Sequence, residues 1–345
     1  MLCSKCFKDE GLSLMAEKIG FLCTEKCSNC NSAMGAKLDK DRVIFLAYRF
    51  FSAGTLQRFD FGAAPAIVAN DVQKTSVIFD DILNSDAKLI SDKTGIGFFH
   101  YGPRFWMFGE TEPLNALQDE NQIDSIIEKI IDTYPKVTYD KNTKFYRLRK
   151  NPSSPEQASQ YDTPPISNGE GRLDTSALPV MYASFDLEVC IHECRATAED
   201  DLYMATLIPN KPLKLIDFAI VLDEEDVTEF ESIDLAVFML FMAKNISYPI
   251  LRKLSKAVVN KGYDGIIYPS YFSMLHSGAD PFETTYGLSN RRIEFFRERE
   301  QSKVHKNLAI FGHPIKEKKI TIKRINKLFI RQVKYEVEFG PVEYN

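Results

Sequence analysis

Hydrophobic residues at helical spacing mark one clear amphipathic segment near the middle of the chain. Isoleucines stand at positions 123, 126, 127, 130 and 131, a repeat of i, i+3, i+4, i+7 and i+8. This spacing places all five side chains on one face and predicts a helix that buries that face. Pro135 follows, and we expect the helix to end before it because proline cannot continue a helix.

A second stripe with the same period begins shortly after residue 184. Its members are Leu187, Cys190, Ile191, Cys194 and Ala198. Ser184 or Asp186 is the expected N-cap, since both side chains can accept from the first free backbone N–H groups. Glu193 falls about 120° from the centre of the stripe at 100° per residue. We therefore expect Glu193 beside the buried face, where its side chain can enter a cleft.

Strand patterns are shorter than the helical ones. Residues 143–148 and 180–183 have the composition and length of strands. The apolar run 43–48 is a strand or part of a helix, and periodicity alone does not decide between them. Residues 222–260 begin acidic and become helical, as expected for a lid or an interface. The pattern as a whole predicts an α+β protein.

Composition narrows the class of protein. The 345 residues are 44% apolar, so the chain can bury a sizeable core, and the net charge is −5. That charge gives no global attraction to nucleic acid or to an anionic membrane. The longest apolar run, Leu235 to Ala243, is too short to span a bilayer. The first residues lack the pattern of a secretory signal, and we predict a cytoplasmic protein without a membrane partner.

Five of the seven cysteines crowd into the first thirty residues. Cys3-x2-Cys6 is followed after twenty residues by Cys27-x2-Cys30, which is the spacing of a four-thiolate zinc site. Cys23 is a fifth candidate and leaves the ligand set open. A closed four-cysteine site has no free coordination position, so we expect the zinc to be structural.

Six polar positions, each within its own local pattern, resemble the RES-domain family. The positions are Arg147, Arg172, Tyr182, Glu193, Ser270 and Asn307. The resemblance runs from about residue 141 to the end, and the cysteine-rich start is similar to small domains that precede RES domains. It implies a fold like that of ADP-ribosylating toxins, and characterised members break down NAD. We predict a four-cysteine zinc module at 1–35, an adaptor or regulatory segment at 36–140 and a RES catalytic domain at 141–345.

The chemistry of NAD cleavage explains the two residues that the resemblance implies are catalytic, Glu193 and Ser270. Breaking the bond between nicotinamide and ribose develops positive charge on the sugar, and a nearby carboxylate stabilises that charge. Glu193 suits this role. Ser270 suits the orientation of a hydroxyl or a phosphate.

Substrate binding is the role that the resemblance implies for the other four positions. Arg147 and Arg172 are expected to hold the two phosphates, because a guanidinium binds phosphate bidentately. Arg149 is a rival to Arg147, two positions further along the same strand face. Tyr182 is expected to stack on nicotinamide or bond to a ribose, and Asn307 to orient hydroxyls or a phosphate.

The chain departs from the family pattern at two places. Many RES domains have Gly-Arg-Trp-Asn where this chain has Gly171-Arg172-Leu173-Asp174, which puts the partner of Arg172 in doubt. A long insert separates Ser270 from Asn307. The insert contains Arg291 and Arg292, which we predict to be a surface pair in preference to a phosphate contact.

The leading functional hypothesis is an NAD-consuming enzyme, a glycohydrolase or a phosphorylase, that acts as a bacterial toxin or a phage-defence effector. The same first half of the reaction also fits ADP-ribosyl transfer to a macromolecule. A non-enzymatic zinc-ribbon binding protein is the alternative from another class. A neutralising or activating protein partner and a homo-oligomer are further expectations, and the sequence names neither.

Overall fold

The computed structural model describes residues 1–164 and 171–345. The chain divides into two compact units. Unit 1 comprises Met1–Arg58, Ala63–Arg104 and Lys334–Asn345, and unit 2 comprises Phe59–Gly62 and Phe105–Val333. The units divide the chain at positions other than 35 and 140, and the three-domain organisation stays a prediction.

Unit 1 is built from short helices and two-stranded ribbons. Its elements are β1 (Leu2–Cys3), α1 (Glu10–Ile19), β2 (Lys37–Leu38), α2 (Lys40–Ala47), β3 (Leu56–Arg58), β4 (Ala63–Pro65), β5 (Ile67–Asn70), α3 (Asp81–Thr94) and β6 (Gly97–His100). Strand β1 pairs with β2, β3 with β4 and β5 with β6, all antiparallel. Most of the run 43–48 lies in α2, so it is a helix.

An aspartate starts each of the three helices of unit 1. Asp9, Asp39 and Asp80 each accept a hydrogen bond from a backbone N–H in the first turn of the helix that follows. Such caps satisfy donors that have no partner inside the helix. Buried phenylalanines fill the space between α2, α3 and β6, with the ring centroids of Phe51 and Phe98 4.4 Å apart.

Unit 2 contains the larger core and a mixed sheet. Its elements are α4 (Glu112–Gln118), α5 (Ile123–Thr133), β7 (Lys136–Tyr139), β8 (Phe145–Lys150), β9 (Val180–Ser184), α6 (Leu187–Glu193), β10 (Leu202–Pro209), β11 (Leu213–Asp217), α7 (Ile233–Met242), α8 (Tyr248–Asn260), β12 (Gly265–Pro269), α9 (Ser273–Ser277), β13 (Thr284–Thr285), β14 (Leu288–Ser289), α10 (Arg297–Ser302), β15 (Lys306–Phe311) and β16 (Ile320–Leu328). The α+β class predicted from the sequence is confirmed.

Eight strands of unit 2 form one sheet in the order β16-β10-β8-β9-β15-β12-β11-β7. All neighbours are antiparallel except β11 and β12, which are parallel. Strands β8, β9, β15 and β12 lie side by side in the middle of the sheet. Arg147, Tyr182 and Asn307 lie on the first three of these strands, and Ser270 directly follows the fourth. Sheet topology therefore collects residues that are far apart in the sequence.

The predicted helices and strands are largely present, with one clear difference. Helix α5 and strand β9 occur where the pattern predicts them, and Asp186 is the N-cap of α6. The apolar stripe predicted to reach Ala198 is interrupted, because α6 ends at Glu193 and Arg195 has a left-handed backbone with φ of 47°. Glu193 is thus the last residue of α6, and the chain changes direction directly after it.

The predicted insert at 222–260 contains α7 and α8 and packs into the core of unit 2. Helix α7 is buried on all sides. Arg291 donates two hydrogen bonds to the carboxylate of Asp234, at 2.8 and 2.9 Å, and Arg292 pairs with Glu224 at 2.9 Å. The prediction that Arg291 and Arg292 form a surface pair is wrong, because both side chains are buried in these ion pairs. Within the described ranges, no helix combines the length and apolar character needed to cross a membrane.

Candidate functional site

The four cysteines predicted from their spacing come together in unit 1. The Sγ atoms of Cys3, Cys6, Cys27 and Cys30 lie within 4.8 Å of one another. The distance is 3.4 Å from Cys3 to Cys30 and from Cys6 to Cys27, and 3.8 Å from Cys3 to Cys6. Four sulfurs bound to zinc at about 2.3 Å lie about 3.8 Å apart. The donor set and its spacing therefore fit a metal ion of the zinc class.

Cys23 is not part of the four-cysteine cluster. Its sulfur accepts instead from the backbone N–H of Glu25 at 3.4 Å. The loop that returns from Cys30 towards β2 is fixed by Lys37, whose side chain is fully buried. The Lys37 Nζ donates to the carbonyl oxygens of residues 32–35 at 3.1 to 3.4 Å. The cluster is thus held by a buried ammonium as well as by its four sulfurs.

A cavity of about 1020 Å³ opens in unit 2 beside strands β8, β9 and β15. Five basic side chains line the described part of this cavity, and they are Arg147, Arg149, Arg172, Arg195 and Lys244. Two acidic side chains, Asp174 and Glu193, also line it. A cavity with this excess of cations, in a protein of net charge −5, is suited to an anionic ligand.

Arg147 is the most buried of these cations, with 5% of its surface exposed. Its guanidinium donates to the backbone oxygen of Tyr182 and, at 3.2 Å, to that of Asp162. Its Nε is buried without a hydrogen-bond partner among the described residues. Burial, and then the charge of Arg149, lower the pKa of Arg147. Because carbonyl groups and not a carboxylate hold the guanidinium, an anion in the cavity would stabilise its positive charge.

Arg149, the rival to Arg147, points into the same cavity. Its Nε donates to the carbonyl oxygen of Gln160 at 2.6 Å, and its Nη2 to that of Asp162 at 2.8 Å. Burial also lowers the pKa of Arg149. The two arginines therefore form one cationic wall, and geometry does not separate them into a binding residue and a surface residue.

Arg172 lies against two aromatic rings at another part of the wall. Its guanidinium carbon is 5.9 Å from the ring centre of Tyr248 and 5.8 Å from that of Tyr268. It also donates to the carbonyl oxygen of Phe241 at 3.3 Å. These contacts hold the side chain beside the cavity and leave its charge without a carboxylate partner among the described residues.

The hydroxyl of Tyr182 fixes the segment that carries Arg172. It donates to Oδ1 of Asp174 at 2.9 Å and accepts from the backbone N–H of Leu173 at 3.0 Å. A Cβ at Gly171 would lie 1.7 Å from the same Asp174 oxygen, so a larger residue there would displace the Asp174 carboxylate from Tyr182. The family's Asn is replaced here by Asp174, which accepts the hydrogen bond from the Tyr182 hydroxyl. The ring of Tyr182 lines the cavity while its hydroxyl is used within the protein.

Glu193, Ser270 and Asn307 meet at one carboxylate oxygen. Oε1 of Glu193 accepts from Oγ of Ser270 at 2.7 Å and from Nδ2 of Asn307 at 2.5 Å. Ser270 is fully buried and Asn307 is 2% exposed. Among the described residues, Oε2 of Glu193 accepts no hydrogen bond. One oxygen is therefore anchored, and the other is available to a ligand.

The amide of Asn307 has one free end. Its Nδ2 is committed to Glu193, since a carboxylate can only accept, so Oδ1 points the other way. That oxygen is buried and has no hydrogen-bond partner within residues 1–164 and 171–345. Asn307 also lines the cavity. A buried acceptor without a donor costs about 1–3 kcal/mol.

Comparison with known proteins agrees with this arrangement at the level of the family. Residues 144–310 match the RES domain family. This segment of the chain is a RES domain. All six positions predicted for the site lie within the match. None of the curated proteins compared with the chain matches it.

A likeness to a solved structure was also found. The crystal structure of the M. tuberculosis MbcT–MbcA toxin–antitoxin complex contains a chain that is similar over 61% of this chain and 93% of its own length. The sequences are 12% identical and the TM-score is 0.35.

The RES domain of this chain also has site residues that sequence reasoning missed. Tyr248, Tyr268, Tyr271 and Phe272 add aromatic surface to the cavity. Tyr268 and Asn307 are direct partners across β12 and β15. Tyr271 and Phe272 immediately follow Ser270, so their place in the motif was a signal that could have found them. Arg195 and Lys244 had no such signal, because a left-handed turn and an insert bring them to the cavity.

Cys190 and Cys194, two members of the apolar stripe of α6, pack in a small core cluster. Cys190 and Cys194 donate weakly to the carbonyl oxygens of Tyr146 and Leu148, at 3.5 and 3.6 Å. Burial, and then the neighbouring Cys194, raise the pKa of Cys190 to about 12. A thiol with this pKa stays protonated near neutral pH and is a poor nucleophile.

Proposed function

We propose that the RES domain binds NAD in the 1020 Å³ cavity and breaks the bond between nicotinamide and ribose. The observation that carries the proposal is the carboxylate of Glu193, anchored through Oε1 by Ser270 and Asn307 with Oε2 available to a ligand. The carboxylate lies at the wall of a cavity with basic and aromatic walls. A dinucleotide has the matching parts, namely two phosphates and two flat bases.

The cations supply the grip on the diphosphate. Arg147 and Arg149 form one wall and Arg172 another, and all three hydrogen-bond to carbonyl oxygens. Their charges remain available to an anion because carbonyl groups orient a guanidinium without neutralising it. We assign the pyrophosphate to these arginines, with Arg195 and Lys244 as further contacts at the wall.

The aromatic side chains provide surfaces for the bases. Tyr182 has its hydroxyl committed to Asp174, so its ring is the part offered to the ligand. Tyr271 and Phe272 lie next to Ser270 in the chain, close to the carboxylate that the reaction needs. Stacking of an aromatic ring on such surfaces is worth about 0.5–1.5 kcal/mol beyond the burial of area.

Glu193 acts on the bond that breaks. As the bond between ribose and nicotinamide lengthens, its electron pair leaves with nicotinamide and positive charge develops on the sugar. A fixed carboxylate stabilises this charge without having to reorganise. Ser270 is fully buried behind Glu193, and we assign it as a positioning residue that acts through the carboxylate. Asn307 positions the same oxygen, and we assign it to the part of the cavity wall that faces the ribose.

The second half of the reaction is capture of the ribosyl group. Water as acceptor gives ADP-ribose, and phosphate gives the corresponding ribosyl phosphate. Basic walls can hold a free phosphate as well as the substrate, so both acceptors fit the cavity. Consumption of NAD in this way would stop growth, and we propose a toxin or defence effector controlled by a protein partner.

The four-cysteine cluster takes a structural zinc in this proposal. Its four sulfurs would occupy all positions of a tetrahedral ion, and no open position remains for chemistry. The zinc would hold the first thirty residues against one another and take no part in cleavage.

The test is to incubate the purified full-length protein with NAD, with and without phosphate, and to identify the products by mass. Free nicotinamide in both reactions supports the proposal. ADP-ribose alone identifies a hydrolase, and a phosphorylated product that appears only with phosphate identifies a phosphorylase. Nicotinamide release that requires an added lysate, with ADP-ribose attached to a macromolecule, identifies a transferase. No nicotinamide in any reaction would contradict the proposal.

A further inference from the structure

A second group of metal-ligating side chains lies in unit 2 and has no part in the proposed reaction. It consists of Asp186, His276 and His305, whose candidate ligand atoms lie within 4.8 Å of one another. Oδ2 of Asp186 is 3.7 Å from Nε2 of His276 and 3.7 Å from Nδ1 of His305. The two imidazole rings meet edge to face, with centroids 4.2 Å apart.

These distances leave room for an ion between the three side chains. At 3.7 Å, neither histidine nitrogen is within hydrogen-bond distance of the Asp186 carboxylate. Nitrogen and oxygen ligands that share a tetrahedral zinc lie about 3.3–3.5 Å apart, from bond lengths of about 2.0–2.2 Å. The two histidine–aspartate pairs would each have to close by about 0.3 Å, and the ligand atoms of all three side chains already lie within 4.8 Å of one another.

The other nitrogen of His276 has a carboxylate beside it. Its Nδ1 lies 3.2 Å from Oε2 of Glu188, which leaves Nε2 facing Asp186. A carboxylate on the far nitrogen is a usual companion of a metal-bound histidine, because it fixes the ring and the tautomer. The carboxylate of Asp186 is fixed as well, since Oδ1 accepts from the N–H groups of Glu188 and Val189 while Oδ2 faces the histidines.

The segment that precedes His276 is also tied to the backbone of His305. The backbone N–H of His305 donates to Oγ of Ser273 at 3.0 Å, and the N–H of Ser270 donates to the carbonyl oxygen of His305 at 2.8 Å. These two hydrogen bonds hold the segment 270–273 against His305 within the protein itself. A site arranged in advance loses little entropy when it takes its ligand.

We propose that Asp186, His276 and His305 form a zinc site with three protein ligands and a fourth position for water. Two imidazoles and one carboxylate are a set that zinc binds well. Asp186 is the N-cap of α6, which ends at Glu193. His276 lies six residues after Ser270, and His305 lies two residues before Asn307. One ion thereby joins the three segments that carry the Glu193, Ser270 and Asn307 contacts.

The structural consequence is a clamp at one side of the cavity. Tyr271 and Phe272 line the cavity and lie between Ser270 and His276. His192, the neighbour of Glu193, stacks on Phe272 with the ring planes 17° apart. Zinc bound to His276 and Asp186 would connect the segment 270–276 to the start of α6, and the stacking of His192 on Phe272 connects the same segment to its end. Binding of the ion does not depend on the proposed reaction, so each can fail alone.

The test is a calorimetric titration of zinc chloride into the full-length protein that retains the metal of its four-cysteine cluster. We expect one further zinc per chain. Asp186→Asn and His276→Gln should each weaken this binding at least about 100-fold. The asparagine keeps the N-cap but is a poor zinc ligand. His313→Gln and Cys23→Ser are matched controls that remove a histidine and a thiol elsewhere, and both should bind as the wild type does.

Thermal unfolding provides a second measurement on the same samples. Zinc should raise the melting temperature of the wild type and of both controls, because an ion that binds the folded state stabilises it. The rise should be absent in Asp186→Asn. If a variant melts early without zinc, His305→Gln replaces it in the comparison. Uptake of no additional zinc by the wild type, or equally tight binding by Asp186→Asn and His276→Gln, would overturn the proposal.

Discussion

The four-cysteine cluster and the cavity of the RES domain are both assembled from side chains that the fold brings together, but they differ in how local their parts are. The cluster uses two Cys-x2-Cys pairs, and each pair can place two sulfurs near one point without help from the rest of the chain. The cavity uses single residues from Arg147 to Asn307, placed by adjacent strands of one sheet. The four-cysteine cluster can therefore be predicted from residue spacing alone, whereas the residues of the cavity can be grouped only when the strand order is known.

The difference extends to how the side chains are satisfied. The cysteine sulfurs face one another, as a site closed around an ion requires. In the cavity, Nε of Arg147 and Oδ1 of Asn307 are buried without a hydrogen-bond partner among the described residues. Unsatisfied buried groups are costly, and active sites are where they are usually retained. The four sulfurs of the cluster are thus arranged around one point, whereas the cavity retains two buried polar atoms that the described residues do not satisfy.

The largest expected effect is on the cluster. Cys27→Ser should remove the zinc and unfold the cysteine-rich part of unit 1, because structural zinc contributes on the order of 10 kcal/mol in small modules. Metal analysis and hydrogen exchange of the first forty residues measure the two effects. Cys23→Ser is the matched control and should keep one zinc per chain. A wild-type protein that contains no zinc would show that the four cysteines do not bind this ion.

The next effect is on the cavity and on its reaction step. Glu193→Gln keeps the size of the side chain and deletes its charge, so we expect the rate of nicotinamide release to fall about 100- to 1000-fold. The fold should survive, since Glu193 is exposed at the end of α6. Glu199→Gln, an exposed carboxylate in the following loop, should retain the wild-type rate. Equal losses in both variants would mean that general charge, and not the position of Glu193, supports the reaction.

A smaller effect is expected on binding. Arg147→Ala should raise the dissociation constant for NAD about 10- to 100-fold, because charge-assisted hydrogen bonds are worth about 1.5–3 kcal/mol. The maximal rate should change less, since phosphate is held equally before and during bond cleavage. Arg149→Ala should weaken binding less than Arg147→Ala. The reverse order would place the family's first arginine two strand positions further on.

Ser270→Ala should have a moderate effect that falls on kcat alone. The hydroxyl holds Oε1 of Glu193 at 2.7 Å, and loss of one such bond costs about 1 kcal/mol, or roughly fivefold in rate. KM should stay within about twofold, because Ser270 does not line the cavity. Ser255→Ala removes a buried hydroxyl that donates to the carbonyl oxygen of Leu251 within α8, without touching Glu193, and should leave kcat unchanged. A rise in KM with unchanged kcat would contradict the positioning role.

The smallest effect is expected at the cysteines of the cavity wall. Because the pKa of Cys190 is raised to about 12, only about one thiol in 10,000 is ionised at pH 8. Iodoacetamide should therefore leave Cys190 unmodified in the folded protein at pH 8, and labelling should increase about tenfold for each pH unit up to that pKa. Peptide mass spectrometry measures the modified fraction. Rapid labelling with loss of NAD cleavage would mean that a thiol takes part.

The sequence predicts those parts of the molecule that depend on local rules. The isoleucine repeat predicts α5, the cysteine spacing predicts the cluster, and the family pattern predicts that Glu193 and Asn307 belong to one site. It does not predict the end of α6 at Glu193, because the left-handed Arg195 leaves no signature in hydrophobic periodicity. It also misses the burial of Arg291, whose partner Asp234 is 57 residues away. Lys244 reaches the cavity from an insert, which no local pattern reveals.

In the proposed function the cavity binds NAD, and Glu193 is needed for cleavage of the bond between nicotinamide and ribose but not for binding. The most direct measurement is to titrate NAD into folded Glu193→Gln by calorimetry and then to recover the ligand for mass analysis. We expect one intact NAD per chain, bound within about threefold of its affinity for the wild type at short times. A folded variant that binds no NAD, or that converts it at the wild-type rate, would contradict the account.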